Sequence, residues 1–232
     1  MNTAVIEARA LTKTIYSASE PISILQGIDL TVNAGDSVAI LGASGSGKST
    51  LLGVLAGLDT VNSGNIRLLG DELTELNEDQ RTALRAGQIG FVFQSFHLLP
   101  ELTALENVAL TLELFNRPDA LKLAQEWLTR LGLQHRAAHY PSQLSGGEQQ
   151  RVALCRAFAV EPKILFADEP TANLDAHTAI NVLDQLFALI DDSQTSLVVA
   201  THDPVLACRC RDRYQLQDGI LSSAPKDQEG SC

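Results

Sequence analysis

Cysteine is scarce in this chain, with four among 232 residues, at positions 155, 208, 210 and 232. So few and so unevenly placed, they build no disulfide framework and read as a set of reduced thiols. Cys208-Arg209-Cys210 has no second Cys or His pair at ligand spacing, which argues against a zinc-type centre there. Basic residues are also in deficit. Lys and Arg number 17 against 28 Asp and Glu, a formal net charge of −11, which argues against nucleic acid as a partner because phosphate binding draws on clustered Lys and Arg. Long apolar runs are missing too. The strongest stretches, residues 49–58 and 89–100, fall well short of the roughly 20 residues needed to cross a bilayer. Residues 1–7 have no basic segment leading into an apolar one, so nothing there marks the chain for secretion. Internal repeats and low-complexity tracts are absent as well. What remains, 45% hydrophobic and 19% charged residues, suffices for a core of ordinary globular size.

Short apolar runs alternate with helical patterns, the layout of a mostly parallel sheet covered by helices, and the fold class is α/β. Residues 37–41, 89–93, 164–167 and 196–200 lack polar alternation, as strands buried on both faces do. Each run ends in something polar. A glycine-rich loop follows the first, and Gln94, Asp168-Glu169 and Thr201-His202 follow the others; ligands of open α/β sheets bind beyond such carboxyl ends. Residues 5–32 alternate as antiparallel strands do. The middle of the chain is helical. Thr103 with Glu106 forms a capping box, and a second helix starts near Asp119 and ends at Gly132. The expected organisation is one domain over 1–232. Its α/β core takes about 5–94 and 159–222, a helical subdomain about 95–158, and a disordered tail 223–232.

Gly42-Ala43-Ser44-Gly45-Ser46-Gly47-Lys48-Ser49-Thr50 matches the phosphate-binding loop G-x-x-x-x-G-K-[ST], between an apolar strand and a helical run. Its glycines let backbone N–H groups wrap a phosphate, Lys48 reaches the β and γ phosphates, and Ser49 offers a hydroxyl to Mg²⁺. Adjacent residues on a strand point to opposite faces, so Asp168 and Glu169 take separate jobs. Asp168 holds Mg²⁺ through its water shell, and Glu169 orients and deprotonates the water that attacks the γ-phosphate. Ser145 and Glu148 make another capping box, with Gly146 and Gly147 in the first turn. Glycine there costs up to about 1 kcal/mol each unless something approaches the backbone closely, and a second anion site at this helix start explains the pair.

In order and spacing, the phosphate loop, Gln94, residues 144–149, Asp168-Glu169, Asn173-Leu174-Asp175 and His202 resemble the nucleotide-binding subunits of ABC transporters over residues 5–222. Residues 91–100 followed by Leu105-Glu106-Asn107-Val108 look most like the lipoprotein-releasing and macrolide-exporting subfamily. The resemblance implies an ATPase fold of the phosphate-loop class with an antiparallel β region and an inserted helical subdomain. It implies a head-to-tail dimer around two ATP, each held by the phosphate loop of one chain and Ser145, Gly146 and Gly147 of the other. Gln94 would sense Mg²⁺ and the attacking water, His202 would contact the γ-phosphate, and Asp175 would work across the interface. Separate membrane-spanning permease subunits would be the partners, gripped by the apolar loop 95–100, with the chain peripheral on the cytoplasmic side of the inner membrane and serving export or release from the membrane. Two positions depart from the family. Ile15 stands where an adenine-stacking aromatic is common, with Tyr16 one residue later, so stacking by Tyr16 is left open. Ala172 replaces a usual glycine and should stiffen its loop slightly. The alternative is a soluble ABC-type ATPase of DNA repair or chromosome maintenance.

Overall fold

The protein is described by a computed structural model over residues 3–17 and 20–224. Residues 225–232 of the expected tail, with Met1 and Asn2, lie outside the described residues. The chain opens with strands β1 (Ala4–Ser17), β2 (Glu20–Asn33) and β3 (Ser37–Leu41), helix α1 (Lys48–Leu55), strands β4 (Ser63–Leu68) and β5 (Asp71–Glu72), and helix α2 (Glu78–Arg85). Strand β6 (Ile89–Phe93) leads to helices α3 (Ala104–Leu114), α4 (Ala120–Arg130) and α5 (Gly146–Phe158). Strand β7 (Ile164–Asp168), helix α6 (Ala176–Ser193), strand β8 (Ser196–Thr201), helix α7 (Pro204–Cys208) and strands β9 (Asp212–Gln217) and β10 (Ile220–Ser223) complete the order.

Two compact units divide these elements, the first taking Met1–Ala86, Phe166–Asp168 and Thr195–Cys232, the second Gly87–Leu165 and Glu169–Gln194. In the first unit β2-β1-β4-β5 form an antiparallel sheet. Leu25, Ile28, Leu30 and Val32 of β2 are buried between exposed neighbours, which is the half-buried alternation its sequence shows. A second sheet there runs β10-β9-β3-β8 and on to the end of β7, and β3 is parallel to both β8 and β9. All six residues of β8 are buried, as a strand covered on both faces requires. The runs expected to end at residues 167 and 200 each extend by one, to Asp168 and Thr201, the second because Thr201 still pairs with Leu41 in the ladder. Helix α1 stops at Leu55, since Gly57 turns left-handed (φ 70°) just past the cap. Helix α2, absent from the sequence reading, is opened by an Asn77–Gln80 capping box and buries none of its residues, so it left no apolar stripe to read.

In the second unit β6 lies beside β7, and α3, α4 and α5 bury Val108, Leu112, Ala124, Leu128, Val152 and Phe158 against one another. The expected Thr103–Glu106 capping box forms on α3, and α4 starts after Asp119 as expected, although the Asp119 side chain makes no cap bond. Cys155 donates its thiol to the Trp127 carbonyl (3.3 Å), and burial raises it far above an ordinary thiol. Cys210 of the first unit is a free buried thiol pushed up to about 12.

Candidate functional site

The phosphate loop belongs to the first unit and leaves β3 at the edge where the parallel strand β8 also ends. Leu41 faces Thr201 across that ladder, so Gly42 and His202 begin side by side. A Cβ on Gly42 would meet the Ser46 hydroxyl at 2.5 Å and the Leu216 carbonyl at 2.6 Å, so only glycine closes the loop. Gly47 caps α1 in the left-handed region (φ 99°) and brings no side chain to its first-turn N–H groups, which leaves them for an anion. Lys48 is buried and donates to the carbonyls of Gly42 (2.9 Å) and Ala43 (3.2 Å). Ala43, Ser44, Gly45 and Ser49 are exposed, and Thr50 is half-buried. Among the described residues of this unit two buried side-chain oxygens have no hydrogen-bond partner, Ser46 Oγ and Asp168 Oδ1. Buried polar atoms are nearly always satisfied, so the pair fits a site completed by phosphate and a hydrated cation.

Beside the loop a cleft of about 650 Å³ opens between Ser44 and Gly45, the β2 residues Ile22 and Ile24, and the turn from β9 to β10. Tyr16 is 77% exposed and does not line it, whereas Ile15 pairs with the lining residue Ile22 across the β1–β2 ladder. The aromatic displaced by one position therefore falls outside the cleft, and the apolar surface offered there is aliphatic.

Gln94, Ser145, Gly146, Gly147, Glu169 and Asp175 belong to the second unit. Ser145 caps α5 as expected, and Glu148 reaches back to its N–H (2.8 Å). Partial burial would raise the Glu148 carboxyl, but the Ser145 N–H and the Arg136 guanidinium (2.8 Å) outweigh it and hold the carboxyl below its usual range. A Cβ on Gly147 would stand 2.2 Å from the Thr178 methyl, and one on Gly146 3.2 Å from Leu174. The close approach anticipated for these glycines is thus made in part by the chain itself. Asp175 caps α6 by accepting the Thr178 N–H (3.0 Å), and its bonds with Thr178 lower its carboxyl. Gln94 is exposed, and its carbonyl accepts from Asn173 Nδ2 (2.9 Å), which brings residues 94, 146 and 173–178 together. Glu169, first residue after β7, holds a left-handed backbone (φ 46°), a strained state for a bulky side chain of the kind that gathers at functional sites. Ala172 needs no positive φ, so the missing glycine costs the loop nothing. Sequence reasoning missed Arg136, whose partner Glu148 lies 12 residues on, and Arg156, whose partners His97 and Phe96 lie 59 and 60 residues away and leave no local pattern.

The sequence profile described as ABC transporter matches residues 25–172 of this chain. The chain belongs to the ABC transporter family. YbbA of Escherichia coli strain K12, described as an uncharacterized ABC transporter ATP-binding protein, is 48% identical over 94% of this chain and 96% of its own. The lipoprotein-releasing system ATP-binding protein LolD of Alcanivorax borkumensis is 46% identical over 95% and 97%. Among solved structures, the dimeric ATP-binding cassette MJ0796 in a post-hydrolysis state with ADP and Pi superposes with a TM-score of 0.86 at 38% identity, over 94% of this chain and 98% of that one. A second dimeric structure of MJ0796, a bacterial ABC transporter cassette, gives 0.87. This chain is the ATP-binding subunit of an ABC transporter and an ATPase. These relatives are transport cassettes, which leaves the DNA-repair alternative without support. No helix among the described residues is long and apolar enough to cross a membrane.

Proposed function

We propose that two copies of this chain close head-to-tail around two ATP molecules and that hydrolysis reopens them, driving separate membrane-spanning permease subunits in export or release from the membrane. The observation that carries this reading is the pair of glycine-flanked helix starts, α1 behind Gly47 and α5 behind Ser145. One triphosphate does not need both from one chain. The phosphate loop of one copy and Ser145, Gly146 and Gly147 of the other then share each nucleotide, with Asp175 at the interface between copies. The whole of 1–232 acts as one ATP-binding domain, with the core at about 5–94 and 159–222 and the helical subdomain at about 95–158. Docking through loop 95–100 holds the chain peripherally at the cytoplasmic face of the inner membrane.

Within one site, residues 42–47 present backbone N–H groups to the phosphates. Lys48 leaves the Gly42 and Ala43 carbonyls to pair with the β and γ phosphates. Ser49, Asp168 and Gln94 would hold Mg²⁺, which supplies neutralisation of phosphate charge; the unpartnered Asp168 oxygen supports this. Glu169 takes the proton from the attacking water as its oxygen bonds to the γ-phosphorus and the bond to the β–γ bridging oxygen breaks. His202 steadies the γ-phosphate through that transfer. A tagged E169Q form, purified from membranes with ATP present, tests the reading. The expected result is an ATP-bound dimer carrying an integral membrane partner, and a monomer recovered without one would overturn it.

A further inference from the structure

Three residues after β6 the backbone does something costly. Phe96 and His97 are both left-handed (φ 60° and 49°), consecutively, although each carries a bulky side chain that disfavours that region. The turn is held from three sides. Asn173 Nδ2 takes the Gln94 carbonyl (2.9 Å), the His97 ring stacks on Phe93 (4.6 Å between centroids), and Arg156 donates Nη2 to the Phe96 carbonyl (2.9 Å) and Nη1 to the His97 carbonyl (2.5 Å). Arg156 belongs to the last turn of α5 and is only half exposed. Burial draws its guanidinium below the usual range, and among the described residues it makes no ion pair. A partly desolvated cation with only carbonyls as acceptors is an expensive way to satisfy a loop, and its planar fork gives each of the two carbonyls its own nitrogen. The other end of α5 carries Ser145 and Gly146, about 15 Å away at the rise of an α-helix. The Phe96 ring comes back to Gly146, 3.8 Å from where its Cβ would stand.

We propose that Arg156 is a positioning residue that ties the orientation of α5 to the Gln94 turn, so that engagement of Ser145-Gly146-Gly147 by the nucleotide of one site sets Gln94 for the other. The link rests on the shared-nucleotide dimer proposed above. Helix α5 is a rigid rod, and a tilt at its start moves Arg156, which carries the two carbonyls with it and shifts Gln94 two residues upstream. With Asn173 fixing the Gln94 carbonyl, the turn has little slack to absorb the movement. The consequence is cooperativity between the two ATP sites, carried inside each second unit.

ATPase rate against ATP concentration, measured on the full chain and on R156K and F96G, tests the link, with binding of a fluorescent ADP analogue as control. Lysine keeps the charge but replaces the two Nη donors, each of which holds its own carbonyl, by a single Nζ; glycine at 96 removes the ring over Gly146 and relaxes the turn. The parent is expected to show a Hill coefficient well above 1, toward the two-site ceiling of about 2. In R156K and F96G it falls to about 1 and kcat drops by roughly fivefold to tenfold, while ADP affinity stays within about twofold, because the phosphate loop is untouched. A structural role alone would lower stability without changing the Hill coefficient. If R156K loses ADP binding through misfolding, F96G decides alone. Parental cooperativity in a folded variant overturns the Arg156 link and leaves the dimer reading standing. A parent that hydrolyses ATP with a Hill coefficient of about 1 and never dimerises overturns both.

Discussion

Replacing Gly147 by alanine should damage the protein for a reason that lies in its own second unit. The added Cβ would stand 2.2 Å from the Thr178 methyl, against ~3.5 Å for comfortable carbon–carbon contact. Thr178 has little room to yield. Its hydroxyl and its backbone N–H both bond the Asp175 carboxylate that caps α6, so rotating the methyl away breaks part of that cap. Overpacking of this kind costs about 1–3 kcal/mol, and the better helix propensity of alanine returns up to about 1 kcal/mol. The net expectation is a loss of about 1–2 kcal/mol, or roughly 3–6 °C in Tm for a chain of this size. The assay is a urea and thermal denaturation series on the parent, G147A, T178S and the double variant. T178S removes the colliding methyl and nothing else, so it should cost less than about 1 kcal/mol alone and restore most of the stability in the G147A background. Equal stability of G147A and the parent, or a double variant no better than G147A, would refute the packing argument. ATPase in the rescued double variant should still lie at least about tenfold below the parent, because the proposed function needs the bare backbone at 147 for the partner copy's phosphate as well.

Four further outcomes follow from particular residues. E169Q should lose about two to four orders of magnitude in phosphate release while ATP binding is retained; hydrolysis at the parental rate would remove Glu169 from the role of base. Y16A should leave ATP affinity within about twofold in a direct binding titration, since Tyr16 is 77% exposed and outside the cleft. N107A removes a buried amide that donates to the carbonyls of Leu99, Leu102 and Thr103 and accepts the Leu99 N–H, and should cost about 2–3 kcal/mol in urea denaturation. The Glu148 carboxyl is held below its ordinary 4.5, so its contribution to stability is present above that value and lost as pH falls through the lower folded one. E148Q should therefore flatten the decline in Tm between about pH 5 and pH 3, and an unchanged slope would count against the cap.

Much of the architecture is legible because its cause is local. The runs 37–41 and 89–93 are strands with those same bounds, since four or five apolar residues bounded by polar ones have no other way to be buried. Capping boxes at Thr103 and Ser145 are readable from residues three apart. The glycines of the phosphate loop are readable for the same reason, because the loop closes on itself between Gly42 and Ser46. Helix α2 was illegible because it buries nothing.

What the chain determined by itself is the chemistry available at each strand end, from Lys48 to His202, because those residues are set by short spacings. Tertiary structure decided which of them share a neighbourhood. Only the parallel pairing of β3 with β8 puts Gly42 beside His202, and only the packing of α5 on α6 reveals that Gly147 is demanded by Thr178. The same holds for Tyr16, whose one-residue shift in sequence became a place outside the cleft once the β1–β2 register set Ile15 opposite Ile22. Contacts between residues 60 apart, as from Arg156 to Phe96, are made by the path of the chain through space, and no spacing along it encodes them.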